Sequence, residues 1–230
     1  MRNYIAMIPA RMGSKRIPKK NVRYMCGKPL IYYPIELCLR SKCFSEIYLN
    51  SESTELGKIA INAGIRYHER PPELSNDQST NREFTYEFLK KHECDYVIMV
   101  NPTSPLLTDK TLKEFLEYVE SHDYDTVLSV ISQKEETFYD GKALNFSLSE
   151  KINSQNLKPV QPIVWSLTAW KRKTFIKNQE SSINPVFGGS IGLFSIPKNE
   201  SCDLDTEEDW IIAEGIMTSS KLQNEKRYLL

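Results

Sequence analysis

The stretch Ile5-Ala-Met-Ile-Pro-Ala-Arg-Met-Gly-Ser-Lys-Arg-Ile-Pro-Lys-Lys-Asn21 constrains the fold more than any other part of this 230-residue chain. Its apolar start, closed by Pro9, has the length and composition of a buried strand that opens an α/β unit. Five basic side chains follow within ten residues (Arg11, Lys15, Arg16, Lys19 and Lys20), interleaved with Gly13 and Ser14 and stiffened by Pro18. A basic loop taken alone is often no more than a solvated surface. Its position directly after the first strand argues otherwise, because open α/β sheets bind their ligands at the carboxyl ends of the strands. Backbone N–H groups around Gly13 and Ser14, with Arg11, Lys15, Lys19 and Lys20, make a candidate cradle for the roughly three to four negative charges of a nucleoside triphosphate. The spacing is neither that of the Walker loop nor the Gly-x-Gly-x-x-Gly dinucleotide fingerprint.

Strand and helix signals then alternate. Leu30, Tyr33, Pro34, Leu37 and Cys38 recur at helical spacing up to Lys42, and Glu46–Asn50 reads as a second strand. A helix over Glu55–Asn62 is capped by Ser51 or Ser53 and stopped by Gly64. Thr80–Lys91 carries Phe84, Tyr86, Phe88 and Leu89 on a further helix, and Asp95–Val100 is a continuous apolar strand. A helix over Leu112–Glu120, capped by Thr108 or Asp109, precedes a strand over Thr126–Ile131. This rhythm predicts an α/β fold with a mostly parallel sheet. Asp140-Gly141, between Thr137–Tyr139 and Ala143–Phe146, is a hairpin signal. Gly188–Pro197 reads as a returning strand, Asp209–Met217 as a last helix and residues 218–230 as a polar tail.

Two further motifs carry chemistry. Asn101-Pro-Thr-Ser-Pro105 leaves the sheet with two prolines fixing the backbone around Thr103 and Ser104, so two hydroxyls are held at the sheet edge. Asp203 and Asp205 lie two apart, and in extended chain their carboxylates face one way, where a hard cation such as Mg²⁺ can meet both. The alternative is that Asp205 or Thr206 caps the helix whose first turn carries Glu207, Glu208 and Asp209.

Balanced charge, with 30 basic and 30 acidic residues, argues against a nucleic-acid binder or a membrane-surface protein. The five cysteines, Cys26, Cys38, Cys43, Cys94 and Cys202, are an odd number without a Cys-x-x-Cys pair and read as reduced thiols. Met1-Arg2-Asn3 leads straight into the first strand and no apolar run approaches bilayer length, so neither a signal peptide nor a membrane span is expected, and the location is read as cytoplasmic. The length suits a single domain over 1–230.

Ala10-Arg-x-Gly-Ser-Lys-x-Ile-Pro-Lys-Lys-Asn21, Asn101-Pro-Thr-Ser-Pro-Leu106 and Asp203-Leu-Asp205 together resemble the motifs of the CMP-sialic acid synthetases (acylneuraminate cytidylyltransferases), including the CMP-nonulosonic acid synthetases. The resemblance is strong to about residue 130, thins to 190 and recovers near the C-terminus. It implies a Rossmann-like three-layer nucleotidyltransferase fold and transfer of CMP from CTP to the anomeric hydroxyl of a 2-keto-3-deoxy sugar acid, with Mg²⁺ as cofactor and pyrophosphate released. By the same resemblance Ala10, Arg11, Gly13, Ser14, Lys15 and Asn21 hold the nucleotide, and Arg11, Lys15 and Lys20 stabilise charge on the triphosphate and the departing pyrophosphate. Arg70 would line the base site, Thr80 and Asn81 would touch cytosine, and Asn101, Thr103 and Ser104 would lie at the base and ribose. Asp203 and Asp205 would hold the metal, Asp205 acting in catalysis. Hydroxyl, amide and backbone groups suit cytosine, which presents an amino donor beside acceptor atoms.

The chain departs from the family in three places. The usual Ser-Thr-Asp after the second strand is Asn50-Ser-Glu, the usual Gln is Asn101, and the acceptor-site pattern is replaced by Gln161–Lys173. There Trp165 and Thr168 stand at the Tyr and Asn positions, and Lys171, Arg172 or Lys173 is available for a substrate carboxylate; packing with a solvated basic run explains the same residues. The acceptor is therefore a sialic acid, a related nonulosonic acid or another small molecule, and a nucleotide-binding relative without catalysis is the reading from another class. The retained lysines and aspartates argue against the last. Residues about 135–185 are expected to form a small lobe for dimerisation and acceptor binding, making the protein a homodimer. His68, His92 and His122 are scattered and read as surface or structural residues.

Overall fold

The computed structural model describes residues 2–220. In chain order the elements are β1 (Tyr4–Pro9), β2 (Tyr24–Met25), β3 (Lys28–Pro29), α1 (Tyr32–Ser41), β4 (Glu46–Ser51), α2 (Thr54–Asn62), β5 (Arg66–Glu69), α3 (Asn81–Lys91) and β6 (Tyr96–Val100). They continue with α4 (Asp109–Ser121), β7 (Thr126–Val130), β8 (Phe138–Tyr139), β9 (Lys142–Ala143), β10 (Ile163–Lys171), α5 (Arg172–Glu180), β11 (Ile191–Ser195) and α6 (Glu207–Ser220). Seven strands make one sheet in the order β11-β7-β10-β6-β1-β4-β5, parallel except for β10. From β1 the chain builds first toward β4 and β5, then crosses to β6 on the other side. The carboxyl ends of β1 and β6 are therefore the place where the strand order reverses, which opens a crevice.

Alternation along β1 sorts the core. Tyr4, Ala6 and Ile8 face α1, α2 and α4 through Ile35, Leu56, Leu112 and Phe115. Ile5 and Met7 face α3 and α5 through Phe84, Phe88 and Phe175. Each such side chain contributes roughly 1.5–3 kcal/mol when fully buried. The result is the expected three-layer, Rossmann-like α/β fold with a mostly parallel sheet. A third apolar cluster lies outside the layers, where Ile17, Met25 and Leu30 meet Leu204, Trp210 and Ala213 of the last segment. No helix among the described residues is long and apolar enough to cross a membrane.

Local signals account for most helix ends. Ser53 Oγ accepts from the Leu56 N–H, Thr80 and Glu83 form a capping box, and Thr108 caps α4. Asp140 and Gly141 both take positive φ (48° and 72°), as a two-residue hairpin turn requires. The last helix reaches Ser220, three residues beyond its expected end at Met217, and the rest of the expected polar tail, 221–230, lies outside the described residues.

The region expected as a small lobe over about 135–185 is divided by the structure. β10 runs antiparallel between β6 and β7 at the centre of the sheet, and α5 packs over it with Phe175 against Trp170. The excursion is confined to the chain beyond the bridge between Gln133 and Val160, and it carries β8 and β9. Its apolar side chains Phe138, Tyr139, Leu144 and Leu148 are exposed. β10 escapes a pattern reading because it is buried on both faces, where Ser166 and Thr168 sit among apolar neighbours and break the alternation.

At the seam of β5 and α3, His68 Nε2 lies 2.7 Å from Glu87 Oε2 and His68 Nδ1 lies 2.9 Å from His92 Nε2. With one proton per ring the chain is satisfied: His92 donates to His68, and His68 donates to Glu87. A second proton on His68 would set N–H against N–H. Burial lowers both pKa values, that of His92 to about 4, and for His68 it outweighs the opposing pull of Glu87. Groups with depressed folded pKa values give stability that is complete above the unfolded value of about 6.5 and is lost as pH falls toward about 4. The melting temperature is therefore expected to drop by several degrees between pH 7 and pH 4.5, and His92→Gln should flatten that slope in a pH series of thermal melts.

Candidate active site

The crevice at the ends of β1, β4 and β6 is a cleft of about 440 Å³. After Pro9 the chain is tied to the end of β4: the Ala10 N–H donates to Asn50 O (3.0 Å) and the Met12 N–H to Glu52 Oε1 (2.9 Å). Ser14 lines the cleft, with its N–H turned back onto Met12 O (2.9 Å). Lys19, exposed and at φ 54°, supplies the left-handed residue that starts a short 3-10 turn over Lys20–Val22, so this lysine serves the turn. The cationic wall of the cleft is made by Arg11, Lys15, Arg16 and Lys20. Buried Asn21 donates from Nδ2 to Arg11 O (2.9 Å), and its Oδ1 has no protein partner among the described residues.

Each of these cations meets a carboxylate. Asp77 accepts from Arg11 Nη1 (2.9 Å) through Oδ1 and pairs with Lys15 through Oδ2. Arg16 donates to Asp205 Oδ1 (2.8 Å), and Lys20 Nζ donates to Leu204 O (2.6 Å) while standing 4.0 Å from Asp205 Oδ1. Burial pulls the Lys20 pKa down, and Asp205 and Asp203 oppose the shift. The amino-terminal turn and the Asp203-Leu204-Asp205 segment thus converge. Leu204 points inward and is fully buried beside Ile17. The Leu204 N–H donates to Thr103 O (2.9 Å), joining this segment to the Asn101–Pro105 motif. Thr206 and Asp209 cap α6 between them, which leaves the Asp205 carboxylate to Arg16 and Lys20. The Asp203 carboxyl is held above its ordinary range chiefly by burial, and its Oδ1 has no hydrogen-bond partner among the described residues.

On the other side of the cleft Arg70, 3% exposed, donates from Nε to Asn50 Oδ1 (2.7 Å) and from Nη2 to Asn50 O (2.7 Å). Its guanidinium lies 4.4 Å over the Phe84 ring, and burial pushes its pKa down to about 10. Asn81 lines the cleft, whereas the Thr80 hydroxyl is committed to Glu83. Asn101 lines it too, with Oδ1 accepting from the Thr103 N–H (3.3 Å), and Ser104 is held below by Ser166 Oγ (3.0 Å).

The three residues expected at an acceptor site are not brought together. Lys171 pairs with Tyr96 at the amino end of β6, at the far end of the sheet from the cleft, and donates to Asp123 (2.9 Å). Thr168 is fully buried in mid-strand opposite Met99. Only Trp165 is near the carboxyl edge, at a bulge with φ 54° and edge-to-face with Phe187 at 5.8 Å. In the other direction, Asp77 and Glu52 join the site without having been expected there. Glu52 is visible in sequence as the departure from Ser-Thr-Asp; Asp77 sits in a polar loop with no pattern to mark it.

The arrangement offers four cations for a polyphosphate, two carboxylates on the adjoining Asp203–Asp205 segment and, across the cleft, a wall made by Arg70, Asn81 and Phe84. The profile of the cytidylyltransferase family matches residues 5–194. N-acylneuraminate cytidylyltransferase A of Danio rerio is 29% identical over 216 residues, covering 93% of this chain and 50% of the relative. The CMP-N,N'-diacetyllegionaminic acid synthase of Legionella pneumophila is 30% identical over 225 residues, covering 93% and 95%. The chain spans about half the length of the first curated relatives it matches and nearly all of the Legionella one. Among solved structures, CMP:2-keto-3-deoxy-manno-octonic acid synthetase complexed with CTP shares the fold, with TM-score 0.66 and 18% identity over 95% of this chain and 99% of that one. Motifs, fold and similarity agree: the chain belongs to the cytidylyltransferase family.

Proposed function

We propose that this protein transfers CMP from CTP to the anomeric hydroxyl of a sugar acid of the nonulosonic class. The observation that carries the reading is Lys20, a residue of the cleft wall whose Nζ binds Leu204 O while Asp205 stands 4.0 Å away, so the aspartate segment abuts the cationic turn. In the transfer, the acceptor oxygen forms a bond to the α-phosphorus, the bond from that phosphorus to the bridging oxygen breaks, and pyrophosphate leaves with the electron pair while the hydroxyl proton passes to solvent. Such a step needs positioning and charge stabilisation more than covalent help. Arg11, Lys15, Arg16 and Lys20 supply the charge, and Arg70, Phe84 and Asn81 frame the base. The acceptor class is supported by the Legionella relative, whose name specifies an acidic sugar.

Asp203 and Asp205 are the residues that would hold Mg²⁺. The buried Oδ1 of Asp203, which has no hydrogen-bond partner among the described residues, is what supports this, since a carboxylate oxygen left without a donor suits a hard cation. When bound, the ion supplies screening of phosphate charge and a lower pKa for a nearby hydroxyl. A homodimer is part of the proposal, with the excursion as its contact: Phe138, Tyr139, Leu144 and Leu148 of that short segment are all exposed. Operation in the cytoplasm agrees with five free cysteines.

Pyrophosphate release from CTP and a panel of nonulosonic acids tests the activity. Asp203→Ala is expected to reduce turnover by about a thousandfold, the loss typical of a central charge stabiliser, with the melting temperature little changed. Arg11→Ala and Lys15→Ala should each cost about tenfold or more in kcat/KM without comparable loss of stability. Equal losses of activity and stability would reduce the loop to a structural element. Tyr139→Asp with Leu148→Asp should halve the mass measured by light scattering.

A further inference from the structure

Asp77 occupies the atoms that the proposed function assigns to the triphosphate. Its carboxylate is divided between Arg11 on one oxygen and Lys15 on the other, as a phosphate would be. The loop that carries it is shaped to deliver it. Asn76 Oδ1 accepts from the N–H groups of Gln78 (2.8 Å) and Ser79 (3.0 Å), while Asn76 Nδ2 and Ser79 Oγ both donate to Glu73 O (2.7 and 3.1 Å). This turn places Asp77 at its apex, and Arg11 Nη1 also lies 3.4 Å from Ser75 O. Ser75, Asn76, Asp77 and Ser79 all line the cleft. The loop is rooted on one side by buried Arg70 and on the other by the capping box of α3, so Asp77 is a fixed neighbour of the cradle.

The same two cations cannot hold a carboxylate and a phosphate chain with the same donors. We infer that Asp77 is a displaceable counter-ion that competes with polyphosphate for Arg11 and Lys15 and thereby keeps the affinity for released pyrophosphate low. Substrate displaces it; when pyrophosphate has formed, the carboxylate is still at hand to reclaim both side chains. The competition lowers the affinity of every ligand that needs the two cations by the fraction of time they are already paired. The pairs are partly exposed, with side-chain exposures of 36% for Arg11, 80% for Lys15 and 44% for Asp77, so the effect is modest and is screened by salt.

The inference rests on the proposed function only in taking Arg11 and Lys15 as phosphate ligands, and the test separates the two. Calorimetric titration of the full chain with inorganic triphosphate and with pyrophosphate, in low salt, compares wild type with Asp77→Asn and Asp77→Ser. Both variants should bind both probes about three- to tenfold tighter, and the gain should shrink at about 0.5 M salt. Asp123→Asn removes the same charge at the other end of the sheet and should leave both affinities within about twofold of wild type, as screening over that distance requires. Unchanged or weaker binding by the Asp77 variants overturns the inference, as does equal tightening by Asp123→Asn. If wild type binds inorganic triphosphate in an Asp77-dependent way but never CTP, the counter-ion stands and the cytidylyltransferase reading falls. If CTP binds and turns over with no response to Asp77, the reverse holds.

Discussion

The site depends on one small apolar cluster. Ile17 of the basic turn and Leu204 of the aspartate segment are both fully buried against Trp210, and this contact is what draws together parts of the chain 184 residues apart at Lys20 and Leu204. Charges alone would not do it. Exposed ion pairs such as Arg16 with Asp205 contribute at most about 1 kcal/mol, whereas burying two large aliphatic side chains contributes roughly 3–6 kcal/mol. Leu204 stands between the two aspartates: its side chain turns into the cluster, while Asp205 beside it reaches Arg16 of the basic turn. Arg23 closes the arrangement from above, its guanidinium 4.3 Å over the Trp210 ring and bonded to Glu207 (2.6 Å).

Four cations crowded on one loop repel each other, and the fold answers with acids placed from elsewhere. Asp77 comes from the segment before α3, Asp205 from the segment before α6, and Glu52 from the end of β4, where it fixes the Met12 amide. The loop is therefore ordered before any ligand arrives, which is the condition under which fixed charges act most strongly on a developing one. Arg70 follows a different rule. It is buried and held by two bonds to Asn50, with its plane on Phe84, so it acts as a wall that braces the end of β4.

What the sequence disclosed and what it hid follow from range. β1, β4, β6 and β7, the caps at Ser53 and Thr108 and the Asp140-Gly141 turn are set by neighbours a few residues away, and all were legible. So was the convergence of the basic turn with Asp203 and Asp205, because those motifs travel together in a family. β5 and β10 were not: β5 is four residues at the sheet edge, and β10 is a central strand whose Ser166 and Thr168 obscure its period. Reading β10 as part of a lobe misplaced Lys171, which lies at the amino end of the sheet, and Thr168, which lies inside it. Asp77 was out of reach because its role depends on where a loop lands, and no local pattern encodes that.

The antiparallel strand β10 has a kinetic consequence. It is hydrogen-bonded on both flanks, to β6 and to β7, and it enters the sheet only after the excursion has been made. Strands β1, β4, β5 and β6 pair with one another without it, but β7 and β11 have no partner in that half until β10 arrives. The sheet is thus joined across its middle by a keystone, and until that strand is in place the β7 edge is the surface most open to mispairing.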